Sequence, residues 1–231
     1  PEIEVGEMVL RRLELPGAFD TVSFADNHAV VAGVTCEETC PIVDTPLSQL
    51  TDLFPDLKSV IVGVYRDGRL FVPRSSDQLL VGDIAYFVAA RDQVRRTLGI
   101  FGHEEREANR VVICGGGNIG LYVARELETR QASARVKLIE QSRDRAITIA
   151  DQLQRSVVLH GSALDEEILR EADAAEADTV VALTNNDEVN VLSCVIARRL
   201  GVPSTLALVN NRAYPDLVRF LGITAHVNPR Q

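Results

Sequence analysis

The chain has 231 residues, 46% of them apolar and 25% charged, and its 24 basic and 33 acidic side chains give a net charge of −9. That composition and length predict one large globular domain or two modest ones, and exclude a disordered, collagenous or coiled-coil bulk. The acidic balance and the lack of a Lys/Arg run argue against a nucleic-acid partner, no apolar stretch reaches the roughly 18 residues of a membrane span, and no signal-peptide pattern opens the sequence.

In residues 1–20, Val5, Val9, Leu10 and Leu13 recur at helical spacing. They predict a helical tail belonging to a preceding domain. The sequence opens on Pro1-Glu2-Ile3 without Met and stops at Asn228-Pro229-Arg230-Gln231, where a further helix should begin. The expectation is a segment of a longer protein.

Residues 21–100 read as a small α+β module. Strand-like Ala29–Val34 lies within Phe24–Cys36, and Pro46 opens a short helix carrying Leu47, Leu50 and Leu53. Strands Ser59–Tyr65 and Arg69–Val72 flank Asp67-Gly68, a hairpin turn signal. Val81-Gly82-Asp83 leads into the strand Ile84–Val88, and Arg91–Leu98 closes the module as a helix. The predicted order is βαβββ, and a module this small gains stability by dimerising. Its carboxylates are scattered and form no catalytic cluster. Cys36, Cys40, Cys114 and Cys194 are too few and too dispersed for a disulfide scaffold or a zinc site, and read as buried thiols. Residues 101–109, FGHEEREAN, are polar and aperiodic, and read as a linker.

Residues 110–231 alternate strand and helix. Val111–Cys114 is a buried strand ended by glycines. A helix follows with Ile119, Val123 and Leu127 on one face and Arg125, Glu126 and Glu128 on the other. Arg135–Glu140 is the second strand. Ser142 caps a helix turning Ala146, Ala150 and Leu153 inward, and Val157–Leu159 is the third strand. Asp165 caps a short helix with Glu166 and Glu167 in its first turn. Thr179–Leu183, Thr205–Val209 and Thr224–Val227 complete six strands. Asn186 or Asp187 opens a helix burying Leu192, Val195 and Ile196, and Tyr214–Leu221 forms the last helix. Six strands with helical crossovers predict a Rossmann-type doubly wound parallel sheet, an α/β fold. Its ligand cleft should lie at the strands' C-terminal ends, where the strand order reverses.

The chemistry points to that cleft. Gly115-Gly116-Gly117-Asn118-Ile119-Gly120 fits G-x-G-x-x-G between a strand and a helix. Gly115 permits a tight turn, Gly117 lets a pyrophosphate approach the backbone, and Gly120 lets helix and strand pack closely. The free N–H groups at the helix start attract phosphate. Glu140 ends the second strand 20 residues beyond Gly120, placed to accept hydrogen bonds from a ribose diol. It should repel a 2′-phosphate, which favours NAD(H) or an adenine nucleotide over NADP(H). Arg143 could soften that preference, although an exposed helix Arg is the plainer reading. Ser162 and Ala163 after the third strand, Thr184 and Asn185 after the fourth, and Asn210 after the fifth fall at the cleft rim. They offer small or polar surfaces to adenine and ribose, or serve as helix caps.

A dehydrogenase needs a proton donor or acceptor near the hydride carbon. His160 and His226 have no obvious partner, and neither Tyr122 nor Tyr214 is followed by a Lys four residues on. No dedicated substrate domain follows. The cleft therefore reads as a sensor, with an NAD-dependent oxidoreductase as the weaker alternative.

The runs VVICGGGNIGLYVARELE, VKLIEQSRDRA, VVLHGSALDEEIL and ADTVVALTNNDEVNVLSCVIARRLG resemble the nucleotide-binding TrkA-N domain of the TrkA family, cytosolic regulatory subunits of Trk potassium-uptake systems. The most specific stretch is Leu183–Asn190. LPGAFDTVSFADNHAVVAGVTC, the Pro46–Leu50 helix, VYRDGR and VGDIAYFVAA resemble the family's small TrkA-C domain. Ser162–Asp165 departs from the family's commoner Gly-Asp-x-Thr-type turn. The resemblance implies a first small domain followed by a second nucleotide domain, with NAD(H), ATP or ADP in one cleft. It also implies a homo-oligomer, dimeric or tetrameric, at the inner face of the cell membrane. There it would gate a membrane-embedded potassium-conducting subunit. The cytosolic gating domain of a potassium efflux system or channel is the nearest alternative.

Overall fold

A computed structural model describes residues 2–26, 28–104, 107–211 and 214–228. Glu105 and Arg106 of the predicted linker, and residues 229–231 of the predicted cut end, lie outside the described residues. The chain divides into two compact units, Arg11–Glu107, and Pro1–Leu10 with Ala108–Gln231.

The first helix, α1 (Glu2–Glu14), buries Val5, Val9, Leu10 and Leu13, the four residues its periodicity singles out. It stops earlier than the 1–20 segment suggests, because Ala18–Phe24 forms a strand, β1.

The Arg11–Glu107 unit adds β2 (Ala29–Thr35), α2 (Leu47–Leu53), β3 (Ser59–Arg66), β4 (Arg69–Phe71), β5 (Ile84–Ala90) and α3 (Val94–Ile100). The sheet is antiparallel, in the order β1-β2-β5-β3-β4, so the predicted βαβββ order lacks one strand at its start. β1 escapes the periodicity because its register shifts between Phe19 and Val22, where Asp20 takes a left-handed φ of 50°. The Asp67-Gly68 turn has positive φ at both residues, 50° and 78°, as a type I′ hairpin requires. Val30, Ala32, Val34, Ala85 and Phe87 turn inward to meet Val94 and Leu98 of α3. Asp83 is buried and carries a bidentate ion pair from Arg66, with donor–acceptor distances of 2.7 and 2.6 Å. All four cysteines are buried and free. The neighbouring Cys36 and Cys40 thiols interact, which raises the first thiol's pKa and lowers the second's to about 6.

The other unit holds β6 (Arg110–Cys114), α4 (Asn118–Arg130), β7 (Arg135–Glu140), α5 (Arg143–Ala150), β8 (Val157–His160) and α6 (Glu166–Glu171). It continues through β9 (Thr179–Ala182), α7 (Asp187–Arg199), β10 (Ser204–Leu208), α8 (Pro215–Phe220) and β11 (Ala225–Val227). All six strands are parallel, in the order β11-β10-β9-β6-β7-β8. The chain winds outward from β6 on one side, then restarts at β9 on the other. That reversal between neighbouring strands is the switch point expected of a doubly wound sheet.

Two helix faces differ from their predicted orientation. On α5 the inward residues are Ala146 and Ile149, while Ala150 is exposed. Leu153 is buried but lies past the helix end. On α7 the buried stripe is Asn190, Val191, Ser193, Cys194 and Ala197; Leu192 is 50% exposed, and Val195 and Ile196 are only half-buried. The reason is Asn190, a polar residue that hydrophobic counting leaves outside and hydrogen bonding draws in. Among the described residues no helix is long and apolar enough to cross a membrane.

Glu128 of α4 anchors the connection from α5 to β8. Its carboxylate accepts from the backbone N–H of Gln154, Arg155 and Ser156 at 3.0, 2.8 and 2.6 Å, and from the Ser156 hydroxyl at 2.6 Å. Burial alone would raise its pKa; the four donors outweigh that and hold it down at about 2. A depressed folded-state value stabilises the fold above the unfolded carboxylate's pKa, about 4.3, and that stability is lost as pH falls through about 2. With allowance for partial solvent exposure, Glu128→Gln should cost about 1–2 kcal/mol at neutral pH. Urea unfolding of wild type and variant across the acid range should show the gap closing as pH falls from about 5.

Candidate functional site

The end of β6 is built from glycines with separate duties. Gly115 takes a φ of +106°, and a Cβ there would stand 2.9 Å from the Thr184 backbone nitrogen. Gly116 faces inward, where a Cβ would meet Ile149 at 2.4 Å and a Glu140 carboxylate oxygen at 3.0 Å. At Gly120 a Cβ would lie 1.9 Å from the Gly115 carbonyl oxygen, so α4 leaves the turn at the closest approach backbone allows. Gly117 differs. Its φ is an ordinary −65° and nothing lies within 4 Å of a Cβ built on it. Its missing side chain serves open space.

Side chains hold this loop from two directions. Glu140 Oε2 accepts from the Gly116 N–H at 2.8 Å, and Oε1 from the Ser142 N–H at 2.7 Å. Arg145 Nε donates to the Gly116 carbonyl at 2.7 Å. The N–H groups of Asn118 and Ile119 head α4 with no helical acceptor before them, a pair of backbone donors at the positive end of the helix dipole.

A cavity of about 690 Å³ opens here, within the range of small-molecule sites. Gly115, Gly117, Asn118, Ile119, Glu140, Ser162, Ala163, Thr184, Asn185 and Asn210 all line it. Of the residues named from sequence, Gly116 and Gly120 do not; they lie beneath the loop and shape it. Sequence reasoning missed Glu2, Gln141, Ser142, Arg145 and Leu164 on the walls. Arg145 had a usable signal, since α5 starts directly after Glu140 and turns its first residues back over the loop. Glu2 had none, because it is remote in sequence. Arg143 is exposed and does not line the cavity.

Several polar groups at the rim already have structural work. The Thr184 hydroxyl donates to Asn190 Oδ1 at 2.7 Å, and the Thr184 N–H donates to the same oxygen at 2.9 Å. Asn190 Nδ2 donates to the carbonyls of Thr184 and Leu208 at 3.0 and 2.8 Å. One fully buried amide thus ties the turn after β9 to the end of β10. Asn186 caps α7 by accepting from the Val189 N–H at 2.8 Å. Asp187 accepts from the backbone and side chain of Asn210 at 3.0 Å each. Ser162 Oγ accepts from the Leu164 N–H at 3.2 Å. These groups set the cleft's shape. Glu140 and Ser162 keep spare hydrogen-bonding capacity beyond the bonds described.

His160, Tyr122 and Tyr214 do not line the cavity. His160 Nε2 lies 3.1 Å from the Gln141 carbonyl. Tyr122 donates to Glu7 at 2.6 Å and Tyr214 to Glu188 at 3.0 Å, and these hydrogen bonds raise both phenol pKa values. A tyrosine serving as a proton donor at neutral pH needs the opposite shift. Among the described residues no cluster of three or more His, Cys, Asp or Glu could hold a metal ion.

Residues 111–229 match the TrkA-N domain family and residues 31–102 the TrkA-C domain family. The chain is 62% identical over its 231 residues to the Trk system potassium uptake protein TrkA of Azorhizobium caulinodans, and 36% identical to that of Halomonas elongata. Each match covers 100% of this chain and 50% of the relative, so the chain spans about half the length of these curated relatives. Among solved structures, the GsuK RCK domain superposes with a TM-score of 0.65 at 18% identity, over 99% of this chain and 48% of that one. The GsuK channel bound to NAD superposes with a TM-score of 0.64 at 19% identity, over 98% and 40% respectively. At such identities the likeness concerns the fold.

The glycines separate folding from binding. Gly120→Ala should destabilise the unit by about 3 kcal/mol or more, since two backbones would have to part. Gly117→Ala should leave stability within about 0.5 kcal/mol of wild type. Denaturant unfolding of both variants checks the contrast.

Proposed function

Because the chain belongs to the TrkA family, we propose that it is the nucleotide-sensing part of a regulatory protein for Trk-type potassium uptake. In this reading the cleft holds NAD(H), ADP or ATP without consuming it. The observation that carries the reading is the open flank of Gly117 beside the exposed start of α4, inside a cavity of about 690 Å³. Gly115, Gly116 and Gly120 are each enforced by a close neighbour; Gly117 alone of the four glycines faces empty space, as a phosphate approach demands.

The residues fit an adenine nucleotide. The α4 N–H groups and the Asn118 amide would meet phosphate, and the Glu140 carboxylate would meet the ribose diol. Bound NAD(H) supplies hydride chemistry in enzymes. Here Tyr122 and Tyr214 lie outside the cavity lining and donate to Glu7 and Glu188, which suits a site that is read rather than turned over.

The proposed partner is a membrane-embedded potassium-conducting subunit, with the protein assembled as a dimer or tetramer on the inner face of the cell membrane. The 62% identity to a potassium uptake protein favours uptake over an efflux system or channel. Sensing requires differential affinity: a nucleotide moves the assembly only by how much better it binds one conformation than another. Such couplings run at about 1–3 kcal/mol.

Titration calorimetry of the chain with NAD+, NADH, ADP and ATP should give micromolar dissociation constants for at least one, about −8 kcal/mol. No binding of any of the four would overturn the reading. Gly117→Leu should abolish binding while leaving the far-ultraviolet circular dichroism unchanged; undiminished affinity would place the nucleotide elsewhere.

A further inference from the structure

The cavity has a carboxylate at its phosphate end that the nucleotide reading does not use. Both oxygens of Glu2 lie within hydrogen-bond distance of Asn118 Nδ2, at 3.1 and 3.0 Å, and Glu2 lines the cavity. Its position is fixed by the helix that carries it. Gly6 packs so tightly against Tyr122 that a Cβ would stand 2.3 Å from the ring. The next residue, Glu7, takes hydrogen bonds from the Tyr122 hydroxyl and the Arg130 guanidinium, each at 2.6 Å. Val5 and Val9 are buried on the same helix. The start of α1 is thereby held in register with the start of α4, and the Glu2 carboxylate is delivered to the helix end where phosphate would settle.

We propose that Glu2 is a specificity-determining residue of the cleft, discriminating among adenine nucleotides by their phosphate charge and favouring NAD+ over ATP. The inference rests on the nucleotide reading above. A helix N-terminus attracts any anion, so by itself it favours the most phosphate-rich ligand. Glu2 supplies the opposing term. It engages the Asn118 amide that a phosphate oxygen would otherwise use, and its charge repels each added phosphate. NAD+ offsets its pyrophosphate with a nicotinamide cation, whereas ATP has no such cation and more phosphate. The same carboxylate therefore weighs on ATP far more heavily. Because Glu2 is exposed, this repulsion is screened by salt.

The test is titration of NAD+ and ATP against the wild-type chain and Glu2→Gln, at low salt and at about 1 M salt. Gln keeps the size and one acceptor for Asn118 while removing the charge. At low salt the variant should bind ATP about tenfold tighter and NAD+ less than about threefold tighter, and the difference between ligands should collapse at high salt. A purely structural role for Glu2 would shift both ligands alike and persist in salt. Unchanged affinities in Glu2→Gln, or equal shifts for both ligands, would overturn the inference and leave the nucleotide reading standing. A wild-type chain that binds neither ligand, nor NADH or ADP, would overturn the nucleotide reading itself.

Discussion

The contact between the Gly115 carbonyl and the backbone of Gly120 sets the geometry on which the cleft depends. With 1.9 Å available to a side chain at Gly120, the helix axis is drawn against the strand end. Gly117, Asn118 and Ile119, at the start of α4, then line the cavity. The surrounding bonds defend this spacing: Glu140 holds the Gly116 N–H, Arg145 holds the Gly116 carbonyl, and the Gly115 N–H donates to the Ile139 carbonyl at 2.8 Å. Three peptide groups of a glycine-rich turn, a segment with high conformational entropy when unfolded, are thus fixed by the protein's own bonds.

Preorganisation of this kind has an electrostatic consequence. The chain is acidic overall, with a net charge of −9, yet the proposed ligands are anions. Bulk charge does not settle such a contest, because exposed charges beyond about 10 Å are screened. What decides it is the local balance: oriented amides and Arg145 on one side, Glu140 and Glu2 on the other. Glu140 does double service there. It braces the glycine loop and the turn after β7 through two backbone bonds, and it lines the cavity with hydrogen-bonding capacity to spare.

How far the site could be read from sequence follows from where its residues lie along the chain. The glycine loop and Glu140 were legible because a strand, a turn and a helix fix their spacing within one local unit. Ser162, Ala163, Thr184, Asn185 and Asn210 were legible as positions, since the rule of strand C-terminal ends locates them. Their hydrogen bonds were not. The Thr184 hydroxyl is taken by Asn190, six residues on in the helix that follows, and the Asn210 amide by Asp187, where two neighbouring connections meet. β1 was missed because a left-handed Asp20 breaks the alternation on which strand reading depends.

Asn190 shows why the misread face of α7 matters to the cleft. Counting apolar residues turns Leu192 inward; the structure turns Asn190 inward and leaves Leu192 half in solvent. Burying an amide costs several kcal/mol unless its hydrogen bonds are met, and here both its oxygen and its nitrogen are engaged. That arrangement is available only if the turn after β9 and the end of β10 stand at one separation. The buried amide therefore rotates the helix and gauges the width of the cleft at once. It also gives Leu183–Asn190 a duty distinct from that of the glycine loop: the stretch fixes one particular opening opposite it.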